Sequence, residues 1–139
     1  NAILFNHDSI YRNKKFLLPR LMTAIVKKNN SFLNRIVKAN ISSDFSHAED
    51  ICKGIYKIMI RKINLDKVIL SSGTNTSINN IITYIILKFK LKSRLKFKMN
   101  NVKTKKTLVG NNNLAKRKLN WLPKKNIFVA AEEIYRSIA

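Results

Sequence analysis

The sequence predicts an α/β fold in which short strands alternate with helices. An apolar run at Val68–Leu70 is followed by a polar turn cluster and then by apolar residues at helical spacing over residues 78–86. A second apolar run, residues 2–5, is likewise followed by a polar loop and a helical pattern. The 139 residues correspond to one domain or part of one, and 45% of them are hydrophobic, which is typical of a globular domain.

The first half of the chain is expected to contain five elements. They are, in order, a buried strand at residues 2–5, a helix at 16–28, short strands at 36–38 and 43–45, and a helix at 47–61. Asp44 or Ser46 is the expected N-cap of the last of these helices. Glu49 and Asp50 lie in its first turn, where the helix dipole stabilises acidic side chains.

The second half is expected to contain the strand Val68–Leu70 and three helices. The first helix covers residues 78–86 and is capped by Thr76 or Ser77. A short helix over residues 114–119 is capped by the asparagine run 111–113 and is stopped by Pro123. The last helix covers residues 127–138, where apolar side chains again recur at helical spacing.

The chain carries a net charge of +21, from 28 Lys and Arg against 7 Asp and Glu. Such a charge is typical of proteins that bind nucleic acid or an anionic membrane surface, so a basic nucleic-acid-binding module is one functional hypothesis. The basic residues are nevertheless spread from Lys14 to Arg136, and the abundance of Lys, Asn and Ile suits an A+T-rich genome. The one local stripe, residues 88–98, alternates basic and apolar residues, which favours a solvated charged face.

Several kinds of site are excluded by the residues present. One cysteine and two histidines are too few for a structural zinc site, and the three glycines are too far apart for a phosphate-binding loop. Cys52 falls on the apolar side of a helical pattern, which predicts a small core residue, and a single cysteine favours a reducing, cytoplasmic location. No window approaches the ~20 apolar residues that span a bilayer, so no membrane association is expected.

Three segments resemble, in order, motifs of the GDP-mannose 4,6-dehydratases, a family of the extended short-chain dehydrogenase/reductase superfamily. Residues 4–9 (LFNHDS) with Arg12 resemble the family's Leu-Phe-Asn-His-Glu-Ser-x-x-Arg. Residues 44–50 (DFSHAED) resemble Asp-Trp-Gly-His-Ala-x-Asp. Residues 109–123 resemble Gly-Asp-x-x-x-Ala-x-x-x-Leu-Gly-Trp-x-Pro. The first motif points to the dehydratase branch, whereas the other two are common to many extended members.

The resemblance implies a fold and a function. Residues 1–139 are expected to form the C-terminal, substrate-binding part of a Rossmann-like enzyme, together with the last strands of its Rossmann domain. The cofactor-binding part and the catalytic residues are expected upstream. The intact enzyme, expected to be a cytoplasmic homo-oligomer, would use NADP to convert GDP-mannose to GDP-4-keto-6-deoxymannose. In that reaction a hydride leaves C4 of the hexose, water is eliminated across C5 and C6, and the hydride returns to C6.

Four residues match functional positions of the family, and none of them is catalytic or binds a metal. His7 and Arg12 match positions that contact NADP, while Asn6 and Arg20 match positions that contact the nucleotide sugar. A cation and a hydrogen-bonding ring suit ribose and phosphate groups, and an amide can donate to and accept from sugar oxygens. Without the resemblance, Arg12 and Arg20 would be interpreted as ordinary surface cations.

Two departures from the family leave a second enzymatic hypothesis open. Ser43 stands where the family usually has an arginine before its Asp-Trp-Gly-His motif. Residues 101–105 keep neither the Arg nor the Glu of the Arg-Pro-x-Glu-Val segment that grips the nucleotide. The alternative is therefore another extended nucleotide-sugar epimerase or dehydratase, acting on a different nucleotide or hexose.

Overall fold

The computed structural model describes residues 1–61, 65–92 and 107–139. It confirms the α/β fold class. The strands of the described ranges are β1 (Ala2–Leu4), β2 (Asn6–Asp8), β3 (Ser42–His47), β4 (Val68–Leu70) and β5 (Asn75–Ser77). The helices are α1 (Leu17–Val26), α2 (Asn30–Ala39), α3 (Ala48–Ile60), α4 (Ile78–Lys88), α5 (Asn113–Leu119) and α6 (Ile127–Ile138).

The strands form two small sheets. In one sheet β1 and β4 pair in parallel, with Ile3 opposite Ile69. In the other, β3 lies between β2, which is parallel to it, and β5, which is antiparallel. A single residue separates β1 from β2, and its amide, Phe5 N, donates to Leu70 O at 3.2 Å. The chain thus passes from the first sheet to the second at Phe5, directly before the polar residues Asn6–Asp8 of β2.

The larger of two hydrophobic cores lies between α1, α2, α4 and α6. Leu21, Leu33, Ile82 and Ala130, one from each of these helices, are completely buried. Complete burial of a Leu or Ile side chain contributes about 1.5–3 kcal/mol, so this core holds the four helices together as one layer. Helix α6 packs against both α1 and α4 and also reaches β3 and β2, so the layer lies against the second sheet.

The smaller core holds the other sheet against α3 and α5. It is built from Ile51, Val68, Leu70 and Trp121, with Ala115 and Leu119 from α5. Gly54 lies so close that a Cβ atom there would be 2.7 Å from Leu70 Cδ1, and the Trp121 indole N–H donates to Asp50 O at 2.9 Å. The closing Trp-Leu-Pro segment is therefore fixed by both packing and a buried hydrogen bond.

The predicted helices are confirmed, but two local details differ. Residues 36–38 were expected to form a strand and instead lie in α2, because Asn29 caps this helix by accepting from Phe32 N and its apolar residues share one buried face. The N-cap of α3 is His47, whose Nδ1 accepts from Glu49 N at 3.1 Å. Neither Asp44 nor Ser46 caps this helix, since both lie within β3.

Two burial predictions are wrong. Cys52 is exposed, because the buried residues of α3 are Asp50, Ile51 and Gly54 and the cysteine is not on their side of the helix. The strand at residues 2–5 was expected to be buried, yet Ile3 and Leu4 are 44% and 39% exposed, since in the described part of the chain β1 pairs with β4 alone. The basic stripe beyond Lys92 and the segment 101–105 lie outside the described residues. Within the described ranges, no helix has both the length and the apolar character needed to cross a bilayer.

Asp44 joins three separate parts of the chain. Its side chain is completely buried in β3. Oδ1 accepts from the Ser72 backbone amide at 2.9 Å and from the Ser72 hydroxyl, while Oδ2 accepts from Gly73 N and Gly110 N, both at 3.0 Å. Four donors therefore satisfy one buried carboxylate, and they tie the turn after β4 and the segment before α5 to the centre of the second sheet.

We expect Asp44→Asn to destabilise the protein by about 2–6 kcal/mol. An amide has one acceptor oxygen, so some of the backbone N–H groups that now face the carboxylate would lose their partner at 1–3 kcal/mol each. Urea unfolding would measure the loss. The matched control is Asp66→Asn, the same change at an exposed residue, which should stay within about 0.5 kcal/mol of wild type. A loss below about 1 kcal/mol at Asp44 would contradict the assignment of this carboxylate as a structural junction.

Candidate functional site

The polar residues of β2 end at the same edge of the sheet as β3. Because the two strands are parallel, Asp8 lies opposite His47, and both strands end there. The carboxyl ends of neighbouring parallel strands are where α/β proteins commonly place ligand sites. The sequence predicted a polar loop after residue 5, and the structure instead shows a short strand. Its backbone hydrogen bonds fix the register of Asn6, His7 and Asp8 relative to β3.

Asn6 is exposed at the rim of an open cavity of about 510 Å³. Its Nδ2 donates to Ser43 Oγ at 2.8 Å, which leaves the amide oxygen as an acceptor for a ligand. Ser43, Thr107 and apolar side chains of residues 4, 5 and 108 also line this cavity. The residue that departs from the family's arginine is therefore in direct contact with the predicted substrate residue.

The tautomer of His7 follows from its one local contact. Nδ1 lies 2.8 Å from Phe5 O, and a carbonyl oxygen can only accept, so Nδ1 carries the hydrogen. In the neutral ring Nε2 is then an acceptor. A neutral His7 thus offers a ligand an acceptor for a hydroxyl or amide hydrogen rather than a donor for a phosphate.

Arg12 is brought close to Asp8 by the short turn that follows β2. Arg12 N donates to Ser9 O at 3.0 Å, and the guanidinium lies 3.7 Å from the centroid of the Phe16 ring. Its Nε is 3.8 Å from Asp8 Oδ1, and the side chain is 36% exposed. The structure thus places Asn6, His7 and Arg12 within one short segment, with Asp8 as an additional charged group that the sequence interpretation had not singled out.

Arg20 is placed apart from this segment. It lies on the exposed side of α1, where its guanidinium carbon is 4.8 Å from the centroid of the Phe32 ring of α2. Arg35 approaches the same ring at 5.9 Å. Among the described residues no hydrogen bond or ion pair links Arg20 to Asn6, His7 or Arg12, so a ligand common to all four would have to extend across the start of α1.

A network of polar and charged side chains joins the end of β3 to the middle of α6. Because His47 Nδ1 accepts from Glu49 N, Nε2 must carry the hydrogen, and it donates to Glu133 Oε2 at 2.9 Å. This hydrogen bond, with a second from Lys125, holds the pKa of Glu133 below its usual value. Hydrogen bonds from Lys125 and Lys53 likewise lower the pKa of Glu49 to about 2. Sequence periodicity gives no signal for this network, since His47 and Glu133 are 86 residues apart.

Asp8 is a buried carboxyl group beside the charged side chain of Arg12. Burial raises its pKa to about 6, although the nearby charges of Arg12 and His7 act in the opposite direction. In the described ranges no three His, Cys, Asp or Glu side chains gather as a possible metal site. The distinctive chemistry of the segment is therefore one half-exposed guanidinium beside one buried, poorly solvated carboxylate.

Comparison with protein families gives one match that covers nearly the whole chain. A family model described as GDP-mannose 4,6 dehydratase matches residues 1–134. No curated protein matches the sequence.

Solved structures share the fold at low sequence identity. RMD from Pseudomonas aeruginosa, in complex with NADPH, has a TM-score of 0.75 and 14% identity over 99% of this chain and 46% of its own. dTDP-glucose 4,6-dehydratase from Bacillus anthracis, in complex with NAD, has a TM-score of 0.73 and 13% identity over 97% of this chain and 42% of its own. UDP-glucuronic acid 4-epimerase from Bacillus cereus, in complex with UDP-glucuronic acid and NAD, has a TM-score of 0.74 and 16% identity, covering 99% and 44%. The chain therefore spans less than half the length of these proteins.

We expect Asp8→Asn to stabilise the protein near neutral pH. The folded-state pKa of Asp8, about 6, lies above its ordinary value of 3.8, so the folded state holds a proton that the unfolded state releases between these values. Stability from this group is present below about pH 4 and is lost as the pH rises towards 6. Urea unfolding should show little difference between wild type and variant at pH 4, and a gain on the order of 1–3 kcal/mol for the variant at pH 7. Asp66→Asn, the same change at an exposed residue, should leave the stability at pH 7 within about 0.5 kcal/mol of wild type. An Asp8 variant no more stable than wild type at pH 7 would contradict the interpretation.

Proposed function

We propose that this chain, which belongs to the GDP-mannose 4,6 dehydratase family, is the C-terminal, substrate-binding part of an NADP-dependent enzyme that converts GDP-mannose to GDP-4-keto-6-deoxymannose. The match of the family model to residues 1–134 is the observation that carries the proposal. The structures that share the fold include dehydratases and epimerases of nucleotide sugars, which supports the broader reaction class. We further propose a cytoplasmic, homo-oligomeric enzyme, as the family resemblance implies.

The division into two parts is supported by the exposed strand β1. Ile3 and Leu4 are large apolar residues that remain well exposed, and in the described residues one edge of β1 has no strand beside it. Such an edge readily accepts another strand. We propose that an upstream part of the enzyme, carrying the cofactor-binding turn and the catalytic residues, pairs with this edge.

His7 of β2 and Arg12 in the turn after it have the chemistry that a dinucleotide phosphate and ribose require. Arg12 presents a planar, permanently charged group that can bind phosphate oxygens through two parallel hydrogen bonds. His7 presents Nε2, an acceptor for a ribose hydroxyl. A bound nicotinamide would supply the hydride acceptor for the reaction. The RMD structure contains NADPH, whereas the two other structures described above contain NAD, so the preference for NADP is supported by the first alone.

The nucleotide sugar would occupy the cavity beside Asn6. In this proposal the amide oxygen of Asn6 accepts a hydrogen bond from a sugar hydroxyl, while its Nδ2 keeps its hydrogen bond to Ser43. Arg20 would bind the diphosphate through its exposed guanidinium, whose central carbon lies 4.8 Å from the centroid of the Phe32 ring. In this proposal one nucleotide sugar contacts both residues, since its hexose, diphosphate and nucleoside are connected in a line.

A different nucleotide sugar is the second candidate, and the contact between Asn6 and Ser43 favours it. A serine hydroxyl hydrogen-bonded to Asn6 replaces the cation of the family, so this wall of the cavity contributes no positive charge at residue 43. The epimerase structure with UDP-glucuronic acid shows that the fold accommodates another nucleotide. The nucleic-acid-binding hypothesis is not favoured, because the family match accounts for almost the entire chain.

We expect residues 1–139 alone to show no turnover of GDP-mannose with NADP. The reaction requires a complete cofactor site and a catalytic base, and the proposed function places both upstream. Product formation from the purified chain, measured by mass spectrometry of the nucleotide sugar, would overturn the division into two parts.

In the full-length enzyme, Arg12→Ala and Arg20→Ala should affect different ligands. A charge-assisted hydrogen bond contributes about 1.5–3 kcal/mol, so Arg12→Ala should raise KM for NADP and Arg20→Ala should raise KM for the nucleotide sugar, each about 10- to 150-fold. Steady-state kinetics with the two ligands varied separately would measure this. Arg35→Ala is the control, because Arg35 is an exposed arginine near the same Phe32 ring and has no proposed ligand. If both site variants resemble the control, the assignments of Arg12 and Arg20 are wrong.

A further inference from the structure

Three aspartates of this chain are buried, and one of them lacks the partners that the other two have. Asp44 accepts four hydrogen bonds. Asp50 accepts from Lys124 N at 2.7 Å and Lys125 N at 2.6 Å. Asp8 is only 7% exposed, yet its buried Oδ1 has no hydrogen-bond partner among the described residues. A buried carboxylate without a donor lowers stability, so its presence calls for a functional reason.

The nearest cation, Arg12, is held on two sides. Asp8 Oδ1 lies 3.8 Å from Arg12 Nε, and this Nε is itself buried and without a hydrogen-bond partner in the described part of the chain. The flat face of the guanidinium lies against the Phe16 ring at 3.7 Å. The carboxylate therefore lies at the buried Nε edge of the group, while 36% of the Arg12 side chain remains exposed.

We infer that Asp8 is a positioning residue, whose buried carboxylate holds Arg12 by its Nε edge against Phe16 so that the two terminal amino groups face outward to bind a phosphate group of the dinucleotide. This inference rests on the proposed function, in which Arg12 contacts NADP. In this role Asp8 acts by orienting the Arg12 guanidinium and not by attracting the ligand with its charge. Two parallel hydrogen bonds to phosphate require the guanidinium plane to be held in one orientation.

The sign of the effect separates positioning from simple electrostatics. The Asp8 carboxylate is negative and repels an incoming phosphate, so removing its charge alone would tighten binding of NADPH. If Asp8 orients Arg12, losing that orientation would instead weaken the binding of NADPH. The other charged or titratable groups around Asp8 are His7 beside it on β2, His47 opposite it on β3 with Glu133 of α6, and Glu49 at the start of α3. All of these remain unchanged in an Asp8 variant.

The first test is the affinity of the full-length enzyme for NADPH, measured by fluorescence titration at pH 7.5. Asp8→Asn should raise Kd roughly 3- to 10-fold, as expected when the hydrogen bonding of Arg12 to the phosphate group is weakened. Asp8→Glu, which restores the charge on a longer side chain, should recover most of the affinity. Asp66→Asn, an identical change at an exposed site, should leave Kd unchanged. An unchanged or lower Kd in Asp8→Asn would overturn the inference.

A double-mutant cycle tests whether Asp8 acts through Arg12. In an Arg12→Ala background, adding Asp8→Asn should not weaken NADPH binding further. An equal loss in both backgrounds would show that Asp8 does not act through Arg12 and would overturn the inference. If Arg12→Ala itself leaves Kd unchanged, the cofactor assignment of Arg12 fails, whereas a normal Kd in Asp8→Asn beside a raised Kd in Arg12→Ala removes the positioning role alone.

A third measurement needs no cofactor and no turnover. The ¹⁵N resonance of Arg12 Nε in the full-length apoprotein should shift as the pH passes through about 6, where the raised pKa of Asp8 lies. The shift should be absent in Asp8→Asn, in which the neighbouring group does not titrate. A merely structural Asp8 would give a less stable variant, and the expected combination of equal or higher stability with weaker NADPH binding distinguishes the two roles. An Arg12 resonance that ignores pH in the wild type would overturn the inference.

Discussion

The arrangement of the described residues depends on one buried carboxylate, that of Asp44. A charge removed from water is stable only when donors replace the lost solvent, and here they come from the turn after β4 and from Gly110. Gly110 must approach closely to donate, and a Cβ atom at this residue would lie 2.4 Å from Ser71 Oγ. The requirement of one side chain for donors thus determines which residues can occupy positions in two distant loops.

The same strand that is anchored by Asp44 determines where the candidate site lies. Residues 44–47 of β3 continue from the anchored position to His47, which is opposite Asp8. His47 caps α3 with one ring nitrogen and binds Glu133 of α6 with the other, so the end of the strand is held by two helices. Strand β3, in which Asp44 and His47 have their hydrogen-bond partners, therefore supports the neighbouring strand β2. Asp8 Oδ1 of β2 has no hydrogen-bond partner among the described residues. The hydrogen bonds of Asp44 and His47 stabilise the sheet, and this offsets the unfavourable free energy of burying Asp8 Oδ1 without a donor.

The sequence could predict elements whose signals are local, and it failed where pairing is distant. Helices α3, α4 and α6 were predicted because apolar spacing and nearby caps lie within one segment. Strand β2 was not, because Asn, His and Asp have low strand propensity and its backbone is fixed by β3, almost 40 residues away. Asp44 was interpreted as a cap for the helix that follows it, whereas its donors are 28 to 66 residues distant. The family motif singled out Asn6, His7 and Arg12 as candidates, but it could not show that Asp8 Oδ1 is buried without a hydrogen-bond donor among the described residues.

Most of the seven acidic residues bind donors within this chain, which carries 28 basic residues. Asp44 and Asp50 are used on backbone amides, while Glu49, Glu132 and Glu133 are bound to Lys, Arg or His side chains. These acids offset only a few of the cations, so the remaining charge attracts any anion without distinguishing between them. Discrimination must then come from cations with a fixed direction. Among the arginines of the candidate site, Arg12 has a carboxylate at its inner edge and an aromatic ring against its face. A large net charge and the fixed orientation of one guanidinium are therefore separate properties, and the second depends on three side chains within nine residues, those of Asp8, Arg12 and Phe16.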